Sequence, residues 1–71
     1  MEEPRPFRII RRRDLPKYVG LQRTQIAELI KSGEFPKPIS LSDNGRSVGW
    51  VEDEVISWQR QRLSKRDASQ T

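Results

Sequence analysis

Turn-forming residues punctuate this chain so closely that only short elements fit between them. Gly20, Gly33, Pro36, Pro38 and the Asn44-Gly45 pair all fall in the middle of a 71-residue sequence. No helix crosses Pro36 or Pro38, because proline lacks the N–H a helix interior needs and its ring crowds the preceding turn. Apolar runs reach only two residues, as at Ile9-Ile10, so no membrane span is expected. A chain of this length is one domain at most. Its core rarely supplies more than roughly 3–5 kcal/mol of net stability.

Three helices and a hairpin fit the intervals. Phe7 to Arg11 mixes aromatic and β-branched residues, as a short edge strand does. A first helix over about 14–19 has Asp14 as N-cap, Pro16 in its first turn, and Leu15, Tyr18 and Val19 on one face. Gly20 suits the left-handed position that ends it. A second helix over about 22–32 places Ile26, Leu29 and Ile30 inward and ends at Gly33. Phe35 then anchors the chain in the core. Ile39-Ser40-Leu41 and Ser47-Val48-Gly49-Trp50 alternate around Asn44-Gly45, which predicts an antiparallel ribbon over 38–50. A third helix starts near Val51, with Val51, Val55 and Trp58 on its buried face. Its first turn carries Glu52, Asp53 and Glu54, which complement the helix dipole. Three consecutive helical carboxylates point in three directions, so they do not make a metal site. Residues 1–6 read as a loose arm, 7–63 as the folded domain and 64–71 as a disordered tail. The fold class expected is therefore α+β: a small winged helix-turn-helix, three helices with a β-hairpin wing.

Charge and missing residue types narrow the function. The formal net charge is +4, and ten of the fourteen cations are Arg, whose planar fork suits phosphate oxygens and guanine edges. There is no cysteine and no histidine. Disulfides, thiolate or imidazole metal sites and a histidine general base are thereby excluded. No nucleophile–base pair or glycine-rich phosphate loop is present. The reading is of a non-enzymatic protein without cofactor, metal or small-molecule substrate. The N-terminus lacks the layout of a secretory signal, so a cytoplasmic location is expected.

The second helix of a helix-turn-helix offers its N-terminal residues to the major groove. Here these are Gln22, Arg23, Thr24 and Gln25. Arg suits guanine, Gln suits adenine, and Thr suits phosphate or a thymine methyl. The same four residues equally suit a plain helix cap with a solvated Arg23. Arg46 and Ser47 sit at the ribbon tip, where a minor groove or phosphate track would be met, although Asn44-Gly45 is also turn chemistry. The run Arg11-Arg12-Arg13 is either a phosphate clamp or a solvated turn paired with Asp14 or Glu28. Trp50 and Trp58, together with Phe7, Tyr18 and Phe35, follow the core pattern rather than a base-stacking one.

Three spaced segments carry a family resemblance. They are Val19-Gly20-Leu21-Gln22-Arg23-Thr24-Gln25-Ile26, Ile30-Lys31-Ser32-Gly33-Glu34-Phe35-Pro36-Lys37-Pro38, and Ser47-Val48-Gly49-Trp50-Val51-Glu52-Asp53-Glu54-Val55 with Trp58. Over about residues 9–63 the chain resembles the AlpA family of prophage regulators. That resemblance implies a MerR-like, excisionase-like winged helix that binds double-stranded DNA. It further implies either an excisionase that bends attachment-site DNA for an integrase, or a transcriptional regulator. The family usually has Ser at Gln22, often an aromatic and Arg at Ala27 and Glu28, and seldom a proline at Pro16. On this reading Arg23, Gln25 and Gln22 read bases, while Thr24, Lys31, Arg12, Arg13, Arg46, Ser47 and Arg62 hold the DNA backbone. So small a module reaches few base pairs, so neighbouring copies on repeated sites are expected as partners, and integrase is another. A protein-interaction module using the third helix through Ile56 is the alternative of another class.

Overall fold

The computed structural model describes residues 7–69; the expected arm at 1–6 and the last two residues of the expected tail lie outside them. Strand β1 (Ile9–Arg11) is followed by helices α1 (Leu15–Val19) and α2 (Arg23–Lys31), strands β2 (Ile39–Ser40) and β3 (Val48–Val51), and helix α3 (Glu52–Ser69). This is the α+β arrangement of a small winged helix-turn-helix. The expected two-stranded ribbon gains β1 as a third strand, in the order β1-β3-β2, with both pairings antiparallel.

Val51 is the first departure. It ends β3 opposite Ile9 instead of opening the third helix. A β-branched residue packs well on a pleated surface, and the chain turns one residue later, where the Glu52 N–H donates to the Arg8 carbonyl at 2.8 Å. The far end of α3 also differs from expectation, since the helix continues through Ser69. Residues 60–68 are all exposed. Good helix formers such as Gln61, Arg62, Leu63, Lys65 and Ala68 sustain the backbone there without a core beneath.

The turns behave as their residues require. Gly20 has φ 75° and donates its N–H to the Pro16 carbonyl at 2.8 Å. Gly33 has φ 82°. Its N–H reaches the Ile30 carbonyl at 3.1 Å and that of Glu34 reaches Leu29 at 2.8 Å, a Schellman ending. At the ribbon tip the Asn44 carboxamide oxygen accepts from the Arg46 N–H at 2.9 Å and the Ser42 hydroxyl at 2.7 Å. Asp14 heads α1, but its side chain caps nothing. Its backbone lies in the right-handed helical region, at φ −92° and ψ −20°, whereas a capping side chain needs an extended residue.

The core comprises Ile10, Leu15, Ile26, Phe35, Trp50 and Val55, with Val19, Leu21, Leu29, Ile30 and Trp58 packed around it. Ile10 and Trp50 face each other across β1 and β3. The Trp50 indole N–H donates to the Pro36 carbonyl at 2.9 Å, so the buried polar edge of the ring is satisfied. Phe35 meets Trp58 edge-to-face with centroids 4.9 Å apart. Two aromatics expected inside are not there: Phe7 is 68% exposed and Tyr18 38%. Phe7 precedes the strand and faces outward. Tyr18 lies across to α3 instead, where its hydroxyl donates to Glu52 at 3.2 Å.

Candidate nucleic-acid interface

The core fixes the ridge that matters. Ile26 is buried, which turns Arg23 and Ala27 outward, and both are exposed. Leu21 and the extended Gln22, at φ −79° and ψ 158°, set the start of α2. Gln22, Thr24 and Gln25 are exposed beside Arg23. Gln25 is also a structural residue: its side-chain oxygen accepts the Gln22 backbone N–H at 2.9 Å, the acceptor half of a capping box. That oxygen is engaged, so the amide NH2 is what Gln25 offers outward.

Five arginines from three places in the sequence come together next to this ridge. Arg11, Arg12 and Arg13 come from the end of β1 and the turn after it, Arg23 from the first turn of α2, and Arg46 from the ribbon tip. With Val48 they line one concavity of about 360 Å³. Among the described residues none of the five forms an ion pair, and Asp14 and Glu28 do not engage the run. Five like charges therefore share one hollow, with no carboxylate of the described residues paired to them. Such a cluster is ready to accept phosphate.

The expected backbone contacts divide. Arg12, Arg13 and Arg46 line the hollow; Lys31 and Arg62 do not. Lys31 lies at the far end of α2. The Arg62 guanidinium carbon stands 5.9 Å from the Trp58 ring centre on α3, a cation–π contact. Ser47 is half-buried, and its N–H is held by the Ser42 hydroxyl at 3.3 Å. Ile56, which the alternative reading needs exposed, is half-buried. Arg11 entered the sequence reading only as a member of the Arg11-Arg12-Arg13 run and was not among the residues assigned to the DNA backbone. Pairing opposite Gly49 in the sheet is what places it at the hollow.

A second hollow, of about 370 Å³, shares Arg12 and Arg23 with the first and has apolar walls that include Ala27, Ile30, Pro38 and Trp50. Among the described residues no group of three or more carboxylate, imidazole or thiol side chains is placed to hold a metal ion. No described helix is long and apolar enough to cross a membrane.

Residues 8–63 match the family described as prophage CP4-57 regulatory protein (AlpA). The chain is 39% identical over 59 residues to the uncharacterized protein ORF88 of Enterobacteria phage P4. That alignment covers 83% of this chain and 65% of the relative, so the chain spans less than two thirds of the relative's length. No solved structure matches at a significant level. With the family model spanning β1 to within α3, this chain belongs to the AlpA family of prophage regulatory proteins.

Proposed function

We propose that this chain binds double-stranded DNA sequence-specifically as a regulatory protein of a prophage or integrative element. The observation that supports it is the convergence of Arg11, Arg12, Arg13, Arg23 and Arg46 in one hollow beside the exposed start of α2. On this reading α2 enters the major groove and Arg23 takes a guanine edge. Gln25 donates its free NH2 to a base acceptor, and Gln22 lies beside it. Arg11, Arg12, Arg13 and Arg46 hold phosphates, with Thr24 and Ser47 as neutral donors at the margins. Lys31 and Arg62 reach the backbone only where the duplex curves towards them.

The test is a salt titration of duplex binding by fluorescence anisotropy. Four arginines on phosphates give a slope of log K against log salt of about −3.6. Affinity that does not fall with salt removes the reading and leaves the protein-interaction alternative.

Within it, the finer role assigned is that of an excisionase that bends attachment-site DNA for an integrase, with neighbouring copies on repeated sites. The family's description as regulatory favours a second role, transcriptional control. Footprinting separates the two: protected repeats and a bend inside an attachment site support excision, whereas protection over a promoter with altered transcript level supports regulation.

A further inference from the structure

We infer that Ala27, backed by Ile30, reads the 5-methyl group of a thymine in the major groove; the inference rests on the DNA-binding reading above. Ala27 is exposed one turn beyond Arg23 on α2. Residues four apart share a helix face, and the four-residue step is about 6 Å along the axis. Whatever carries Arg23 to a base edge carries Ala27 into the same groove, about two base-pair steps away at 3.4 Å each. The apolar hollow that Ala27 lines shares two of its lining residues, Arg12 and Arg23, with the arginine cluster. Ile30 and Pro38 also line it. The thymine methyl is the apolar group that base pairs present in the major groove, and a small apolar side chain is what contacts it. A polar base edge set against these walls would lose its hydrogen bonds to water without replacement. Ala27 thus adds an apolar element to the readout that the polar residues around it do not provide.

The experiment uses the full chain and a duplex site recovered by selection from random sequences. Each thymine in turn is replaced by deoxyuridine, which removes only the methyl, and the dissociation constant is measured. One replacement, about two steps from the guanine that Arg23 requires, is expected to weaken binding about fourfold, the value of one buried methyl-sized group. In Ala27→Ser the same replacement is expected to change binding less than about 1.5-fold, with helicity retained by circular dichroism. Specific, salt-dependent binding in which no thymine is sensitive overturns the inference alone. Equal sensitivity in the wild-type chain and Ala27→Ser also overturns it, by assigning the methyl to another residue. Failure to bind any duplex in a salt-dependent way overturns the DNA reading itself.

Discussion

Gly49→Ala tests the packing that holds the wing against the rest of the sheet. Gly49 is buried in β3, opposite Arg11 on one side and Ile39 on the other. A Cβ there would overlap Ile9 Cγ2, and would stand 3.2 Å from both the Ile10 carbonyl oxygen and Leu41 Cδ1. Leu41 can rotate away. Ile9 cannot easily do so, because its Cγ2 is fixed to a branched carbon with one favoured rotamer, and the Ile10 carbonyl belongs to a paired strand. The backbone is no obstacle, since Gly49 is not among the positive-φ glycines. Alanine would therefore gain about 0.4–1 kcal/mol by restricting the unfolded chain. Overpacking costs about 1–3 kcal/mol; near the middle of that range the net loss is about 1–2 kcal/mol. A domain with roughly 3–5 kcal/mol to lose remains folded, with Tm lower by about 4–16 °C at 4–8 °C per kcal/mol. Urea unfolding followed by tryptophan fluorescence measures it. Ile9→Ala removes the obstructing methyl, so in that background Gly49→Ala should cost less than about 0.5 kcal/mol. A neutral Gly49→Ala, or an undiminished cost beside Ile9→Ala, would refute the reasoning.

Arg23→Ala should weaken binding to a selected site by about 1–3 kcal/mol and flatten preference at one base, while Arg13→Ala weakens selected and random duplexes alike and reduces the salt slope by about 1; equal effects of the two changes would sink the division of roles. Tyr18 is the single tyrosine, so its ionisation can be followed by ultraviolet absorbance. Partial removal from water, and then the negative charge of the Glu52 carboxylate that accepts its hydrogen bond, hold the phenol above its ordinary value of 10.0. The folded chain thus keeps a proton that the unfolded chain releases. Its contribution to stability is full below pH 10.0 and is lost as pH rises through the folded value. Glu52→Gln should move the midpoint down towards the ordinary value, and an unmoved midpoint would show that the carboxylate is not responsible.

Much of the architecture was legible because it rests on local chemistry. Gly20 and Gly33 end their helices because left-handed backbone suits a residue without a side chain. Asn44-Gly45 closes the ribbon by the side-chain bonds that asparagine makes in turns. Ile26 marked the buried side of α2 and so gave the outward side with Arg23. Gln25 was harder to read, since a glutamine three residues into a helix serves a base and a cap equally well. Only the placed side chain shows its oxygen on the Gln22 N–H.

The remainder depended on contacts between distant segments. Val51 belongs to a strand because Ile9 lies across from it; its own neighbours in the chain suit a helix as well. Tyr18 stays at the surface because Glu52 arrives beside it. Arg11, Arg23 and Arg46 are separated by long intervals, and no periodicity relates them. Sequence by itself determined the elements, their order and the sign of the charge, since these follow from each residue's own backbone preference and side chain. Tertiary structure decided that five arginines line one hollow beside an apolar recess, because proximity of this kind is set by strand register and helix packing.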